Sequence, residues 1–195
     1  WESDAFTAMH NESYEVKRMV TMMMNELQQV KNEVKPMGPR WDLGEVMCSE
    51  RSPLTQQVLN ADGHAFRFGL SQGDVSTSEG RQQLFQKIIR HRPKHIWYSP
   101  TCGPWSSWSQ LNASRSLFHQ ELYQEQRRQL LYQLSLGIEL YRHQVGNGDH
   151  FHWEQPQRSL MFKHPSLAEI QMHTQACQFD MCRAGDLRCP ETQKI

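Results

Sequence analysis

Apolar residues recur at helical spacing along the first part of the chain. They are separated by three or four residues and share one helix face, at Val16, Val20, Met23, Leu27, Val30 and Val34. Two prolines and a glycine within residues 35–40 then end the helix. Because fewer than three heptads are present, a helix docked on the remaining chain is favoured over a self-associating coiled coil. We therefore predict an N-terminal amphipathic helix and linker over residues 1–40. Its face at 16–34 is also a candidate docking surface for a protein partner.

From Trp41 onward, short apolar segments typical of strands alternate with segments of helical periodicity. The predicted strands cover residues 43–48, 64–70, 95–98, 150–154 and 178–182. Helix starts are indicated by Ser52 before Pro53 and by the capping-box spacings 76/79 and 166/169, and a long helix is predicted over 118–144. Such alternation predicts an α/β domain over residues 41–195, with a mostly parallel sheet and helices on both faces.

Composition narrows the classes of partner and compartment. Lys plus Arg and Asp plus Glu both number 21, so the charge balance gives no overall basic footprint for nucleic acid, although a local basic groove stays compatible with it. No apolar run is long enough to cross a bilayer, so we predict no membrane partner. Five cysteines, an odd number, do not suggest a disulfide framework and favour an intracellular location, nucleus or cytoplasm. The chain starts without Met, and we expect it to be part of a longer protein, with its domain truncated at the C-terminus.

Cys102 is the first candidate for chemistry. In a parallel sheet the reactive loops follow the carboxyl ends of the strands, and the predicted strands place the loops 48–53, 100–105 and 154–156 at one edge. Cys102 lies between Pro100 and Pro104, which restrict its loop. A nucleophilic thiol needs such positioning and a neighbour that favours the thiolate, whereas most lone cysteines are small packed side chains.

Three further side chains have both a functional and a structural interpretation. Glu154 ends an apolar strand; if buried, it could hold or deliver a proton near neutrality, or it could cap the next turn. Asp74 could bond to the adenine or ribose of a nucleotide-like cofactor, or could shape a Gly-Asp turn. Ser52 lies at a helix N-terminus, where backbone amides favour an anion or a cofactor carboxylate.

Aromatic and histidine residues add weaker candidates. Trp105 and Trp108 flank the cysteine loop and could stack on a base or pack in the core. His150 and His152 point to the same strand face; packing is favoured for them, although either could serve as the base of a thiol hydrolase. The spacing of His173, Cys177, Cys182 and Cys189 matches no common zinc finger, so we predict no metal site.

The loops, in order and spacing, resemble those of the DNA cytosine-5 methyltransferases. SPTCGPWS at 99–106 is similar to the catalytic-loop motif of that family, usually Pro-Pro-Cys-Gln-Pro-Phe-Ser, with Cys102, Pro104 and Ser106 matching. GDV at 73–75 is similar to the motif whose aspartate contacts the cofactor adenine, and WEQP at 153–156 resembles the Glu-Asn-Val motif. The resemblance spans about residues 43–182. The sequence resembles even more closely the methyltransferase-like domains found in retroelement-derived polyproteins.

The resemblance implies a Rossmann-like fold and a defined reaction. Cys102 would add to C6 of a flipped-out cytosine, Glu154 would engage the ring nitrogen, and S-adenosylmethionine would supply the methyl group to C5. The implied cofactor-binding residues are Asp74, Ser49, Glu50, Ser52 and Pro100. The implied nucleic-acid-binding residues are Ser106, Trp105, Trp108 and Gln155.

The sequence departs from the family pattern at several positions, and these departures leave a second function open. The first loop reads CSERSP where the family has Phe-x-Gly-x-Gly, Thr101 replaces a proline, and Gln155 replaces an asparagine. The alternative is a catalytically degenerate module with the methyltransferase fold, which binds nucleic acid or a protein partner within a larger polyprotein. It predicts a cofactor cleft that is closed or filled by side chains.

Overall fold

The computed structural model describes residues 2–178 as an α/β fold with a four-stranded, all-parallel sheet in the order β2-β1-β3-β4. The strands are β1 (Leu43–Val46), β2 (Ala65–Phe68), β3 (His95–Tyr98) and β4 (His150–Trp153). The helices are α1 (Glu2–Glu33), α2 (Pro53–Asn60), α3 (Ser78–His91), α4 (Ser107–Ala113), α5 (Leu117–Gln129), α6 (Leu131–Gly146) and α7 (Ala168–Met172). Short 3-10 helices cover Gly103–Trp105, Leu160–Lys163 and Pro165–Leu167. The predicted α/β class with a parallel sheet is confirmed, whereas the strand predicted at 178–182 lies almost wholly outside the described residues.

The N-terminal helix α1 is docked on the rest of the fold through its apolar face. Its buried side chains are Val16, Val20, Met23, Leu27 and Val30, and they join core side chains from α3 and α6. Beside this face, Glu26 accepts hydrogen bonds from Arg81 Nε at 2.7 Å and from Ser78 Oγ at 2.7 Å. The docked-helix prediction is confirmed. Since the stripe is buried in the core, it does not offer a free surface to a partner.

The two faces of the sheet have different neighbours. One face carries Val46, Phe68 and Tyr98, which pack in the core with α1, α3 and α6. On the other face, α2 lies over β1, where Thr55 contacts Glu45. Farther along this second face, four rings form a stack in the order His150, His95, His152 and Trp97, with neighbouring centroids 4.7, 5.2 and 5.4 Å apart.

Three local predictions differ from the structure. The long helix predicted over 118–144 is two helices, α5 and α6, separated at Leu130. A turn bond from the Leu130 N–H to the Arg127 carbonyl, 3.0 Å long, marks the break, after which α6 enters the core. Thr77, not Ser76, caps α3 by accepting a bond from the Gly80 N–H. A 3-10 turn replaces the cap predicted at Ser166, because the His164 ring accepts the Ser166 N–H.

Candidate functional site

The carboxyl ends of β1, β3 and β4 meet at one edge of the sheet, which we call the rim. Because β1 has β2 on one side and β3 on the other, the strand order changes direction between β1 and β3, where α/β folds commonly bind ligands. Ladder bonds continue past the strand ends, from the Ser99 N–H to the Val46 carbonyl and from the Glu154 N–H to the Tyr98 carbonyl. The loops that carry Cys102 and Glu154 therefore start side by side.

Glu154 is held in one orientation by two donors from β3 and its following loop. The Trp97 indole N–H donates to Glu154 Oε2 at 2.8 Å, and the Ser99 hydroxyl donates to the same oxygen at 3.0 Å. Oε1 of this half-buried carboxylate accepts no hydrogen bond from any residue between 10 and 178. The arrangement fixes the carboxyl group and leaves one oxygen as a free acceptor. Trp97 and Ser99 were not among the predicted site residues. The signal for Trp97 was its pairing with His152, because side chains two residues apart on a strand share one face, and Glu154 follows His152 by two residues.

Gln155 joins the two loops instead of facing outward. Its amide Nε2 donates to the Pro100 carbonyl at 2.7 Å, and its Oε1 accepts from the Ser159 hydroxyl at 2.9 Å. Both ends of the amide are engaged within the protein, so the predicted contact of Gln155 with nucleic acid is replaced by a positioning role. Pro100, predicted to touch a cofactor, is buried beneath this bond.

The cysteine loop is also held from below by Gln133, a residue that sequence analysis did not single out. The Thr101 N–H donates to Gln133 Oε1 at 3.0 Å, and the Tyr98 hydroxyl donates to the Gln133 carbonyl at 2.6 Å. Gln133 is buried in α6 beside Leu134. A glutamine within an apolar helix face is the signal that could have identified it, because buried polar groups need partners.

Cys102 lies half-buried at the start of the 3-10 turn Gly103–Trp105, and its carbonyl accepts the Trp105 N–H at 3.0 Å. A Cβ atom added to Gly103 would meet no atom within 4 Å apart from its chain neighbours, so the space at Gly103 is open. Cys48, after β1, is in a different environment. Burial, together with the nearby Glu45, raises the pKa of its thiol to about 11, which makes it a poor nucleophile.

The aromatic and serine residues after Cys102 separate into buried and exposed ones. Trp105 is fully buried, with the Arg127 guanidinium 4.7 Å from its ring, so its predicted stacking on a base is wrong. Ser106 caps α4 by accepting the Ser109 N–H at 3.1 Å, and this hydroxyl is likewise used within the protein. Trp108, on the first turn of α4, is 74% exposed and stays available for stacking.

The first loop does not provide the predicted site for a cofactor carboxylate. Glu45 is only 4% exposed and accepts bonds from the Ser52 hydroxyl, the Thr55 hydroxyl and the Thr55 N–H at the start of α2. Arg67 donates to the carbonyls of Glu50 and Ser52, which fixes this loop. The protein's own carboxylate thus occupies the helix N-terminus, and Ser52 is buried beneath it. Of the predicted loop residues, Ser49 and Glu50 are exposed.

Asp74 shapes a turn before α3. Its Oδ1 accepts the Ser76 N–H at 2.9 Å, and its carbonyl accepts the Thr77 hydroxyl at 2.7 Å. The bond from Ser76 lowers the pKa of this exposed carboxyl group. A Cβ atom at Gly80 would lie 2.0 Å from the Asp74 carbonyl oxygen, so only glycine permits this close packing. Asp74 therefore has the structural role that its Gly-Asp sequence allowed.

Neither the two candidate histidines nor two cavities of the fold belong to the cysteine loop. His152 Nε2 is 2.9 Å from His95 Nδ1, and His150 begins β4 at the end opposite the rim, so neither provides a base for a thiol hydrolase. Cavities of about 400 Å³ and 540 Å³ lie beside the ends of α1, α3 and α6 and beside α2 and β2. Neither of these two cavities is lined by Cys102, Glu154 or Asp74.

Comparisons with known proteins found no match among family models, curated proteins or solved structures. Within residues 2–178, no helix combines the length and apolar character needed to cross a bilayer. In the same part of the chain, no three His, Cys, Asp or Glu residues are grouped to hold a metal ion, and Cys182 and Cys189 lie outside it.

Proposed function

We propose that this chain is a Rossmann-like domain of the cytosine-5 methyltransferase type that binds an unpaired pyrimidine of a nucleic acid between Cys102 and Glu154. The observation that carries the proposal is the fixed orientation of Glu154, whose Oε2 accepts from Trp97 and Ser99 while Oε1 has no donor among residues 10–178. The Gln155–Pro100 bond holds the Cys102 loop beside this acceptor.

The chemistry of Glu154 favours cytosine among the pyrimidines. An ionised carboxylate only accepts hydrogen bonds. An oxygen that faces the substituent at C4 therefore accepts from the N4 amino group of cytosine and is repelled by O4 of thymine or uracil, whose donor on this edge is the N3–H. The base must be unpaired because pairing occupies this edge, so a single strand or an extruded nucleotide is the expected ligand. Trp108, exposed on α4, supplies a ring on which a neighbouring base can stack.

The cofactor half of the family's site does not fit the residues present. Glu45 takes the amide at the N-terminus of α2, Ser52 is buried, and Asp74 is used in a turn. We therefore favour a module that binds nucleic acid without the predicted S-adenosylmethionine site, as part of a larger intracellular protein of retroelement type.

Binding of a labelled single-stranded oligo-dC, followed by fluorescence anisotropy, tests the base site. In Glu154→Gln, the amide oxygen can still accept from Trp97 and Ser99, while a donor replaces the free acceptor, so the fold is kept and the contact to cytosine is lost. We expect its Kd to rise about tenfold, the effect of losing one good base contact. Glu33→Gln, an exposed change of equal charge at the end of α1, is the control and should leave the Kd unchanged. Equal Kd values for both variants would refute the base site.

A methyltransferase is the second candidate, and the half-buried Cys102, which precedes the open space at Gly103, favours it. It requires S-adenosylmethionine to contact the exposed carboxyl group of Asp74 as predicted, while its own carboxylate binds elsewhere than at the N-terminus of α2, which Glu45 occupies. Calorimetric titration of S-adenosylmethionine into the chain tests this candidate, with Asp74→Ala as the comparison. Micromolar binding that the substitution abolishes would support a methyltransferase and would contradict a module without the predicted S-adenosylmethionine site. No heat of binding at millimolar ligand would eliminate catalysis by this chain.

A further inference from the structure

The loop that carries Cys102 is anchored on both sides of the cysteine. Before Cys102, the loop is bound by Gln133 and Gln155. After Cys102, it turns into the core through Trp105, whose N–H donates to the Cys102 carbonyl at 3.0 Å and whose ring is fully buried. Because Trp105 ends the 3-10 turn that directly follows Cys102, the position of the buried ring determines the position of the cysteine backbone.

The Trp105 ring has two polar neighbours, and its own indole N–H has no acceptor among the described residues. The guanidinium carbon of Arg127 lies over the ring, 4.7 Å from its centroid. The His164 ring meets the indole edge-on, with centroids 6.1 Å apart and planes at 87°. A cation over an indole face is held more strongly when the contact is desolvated, as it is beside this buried ring.

One carboxylate oxygen of α1 faces both of these neighbours. Glu12 Oε2 accepts a hydrogen bond from Arg127 Nη2 at 2.7 Å, and it lies 3.6 Å from His164 Nε2. The His164 ring accepts the Ser166 N–H at Nδ1, which assigns the proton of the neutral ring to Nε2, on the side of Glu12. The side chains of Glu12 and Arg127 are only 18% and 20% exposed, so salt screens their attraction less than that of a surface pair.

We infer that Glu12 is a positioning residue for the loop of Cys102. It acts through Arg127, which it holds over the Trp105 ring. The inference rests on the proposed function, in which a base binds between Cys102 and Glu154. A loop that is already held in place loses less conformational freedom when a base binds, and this increases the affinity. Helix α1, which precedes the predicted domain, thereby contributes to the site of that domain.

The rate at which iodoacetamide alkylates Cys102 tests this role without nucleic acid. The rate is measured by peptide mapping of the 195-residue chain. In Glu12→Ala, Arg127 loses its partner, and the half-buried thiol should become exposed more often. We expect the alkylation of Cys102 to become about tenfold faster, the effect of losing one desolvated cation–π contact.

Two controls separate positioning of the loop from general destabilisation. The Cys48 thiol, which follows β1, reports loosening of the whole fold, and its alkylation rate should be the same in Glu12→Ala as in the wild type. Glu15→Ala removes an ion pair with Arg18 from the surface of the same helix. It should leave the rates of both thiols unchanged.

Arg127→Lys tests whether the guanidinium group connects Glu12 to the ring. Lysine keeps the positive charge and can pair with Glu12, but it has no planar group to lie over Trp105. The rate at Cys102 should therefore rise as it does in Glu12→Ala. The double variant should show no further rise, because the two residues act on the same contact. If circular dichroism shows that Glu12→Ala does not fold, Arg127→Lys decides the question.

Wild-type rates at Cys102 in both variants, or an equal rise at Cys48, would overturn the inference. So would multiplied effects of the two substitutions in the double variant. The Kd for oligo-dC is a second readout, and it should rise in Glu12→Ala but not in Glu15→Ala. If the wild-type chain does not bind oligo-dC, the proposed function fails, while the alkylation rates still decide the role of Glu12.

Discussion

The N-terminal helix α1 is expected to be indispensable for folding, although its sequence is separated from the sheet by a Pro- and Gly-containing linker. Five of its side chains are buried, and full burial of an aliphatic side chain stabilises a protein by about 1.5–3 kcal/mol. Burial of this face of α1 therefore contributes about 10 kcal/mol to the free energy of unfolding, which is as large as the whole unfolding free energy of a typical domain. We expect a chain that begins at Arg40 to show no cooperative unfolding transition.

A single substitution measures this contribution within the intact chain. Leu27→Ala removes a buried side chain of α1 and should lower the unfolding free energy by about 2–5 kcal/mol. With a urea m-value of about 2 kcal/mol/M, the midpoint should fall by at least about 1 M. Met24→Ala, on the exposed side of the same helix, is the control and should change the free energy by no more than about 0.5 kcal/mol. Circular dichroism measures the urea midpoints. Equal midpoints for the two variants would refute the placement of α1 in the core.

Other side chains give further expectations. Trp105→Ala should destabilise the fold by about 3–5 kcal/mol, because its ring is fully buried, whereas Trp108→Ala should leave the urea midpoint unchanged. Burial and the nearby Lys31 lower the pKa of His143 to about 4, so the unfolded chain binds the proton of this histidine more tightly than the folded chain does. The free energy of unfolding should therefore fall as the pH drops from about 6.5 to about 4, and it should fall less in His143→Asn. Cys48, with its raised pKa, should be alkylated by iodoacetamide at pH 8 more slowly than Cys102, as peptide mapping would measure; faster labelling of Cys48 would contradict its environment.

The strands were predictable because each is a short apolar segment bounded by turn residues. The bounds predicted for β3, residues 95–98, agree with the structure, and the alternation with helices indicated the parallel sheet. The break at Leu130 was not predictable from the pattern. Neither proline nor glycine marks it, and the apolar spacing continues from Leu130 to Leu134 across it. Only tertiary packing, which draws α6 into the core, separates the two helices.

For the candidate site, the meeting of the loops at one edge was predictable from the sequence, whereas their contacts were not. Periodicity brought the loops of Cys102 and Glu154 to one edge, since parallel strands end together. It did not reveal that Glu45, inside β1, would reach Thr55 and occupy the helix start assigned to a cofactor. Such a contact depends on which face of β1 meets α2. For the same reason, two tryptophans three residues apart, one buried and one exposed, were not distinguishable from spacing alone.

The base preference of the rim tests the central claim most directly. The Kd values for single-stranded oligo-dC and oligo-dT, of equal length and at the same salt concentration, are compared for the wild-type chain and for Glu154→Gln. The free carboxylate oxygen predicts tighter binding of oligo-dC by the wild type, and the donor introduced by Gln predicts the reverse preference in the variant. The same preference in both proteins, or none in either, would contradict recognition of a pyrimidine by Glu154.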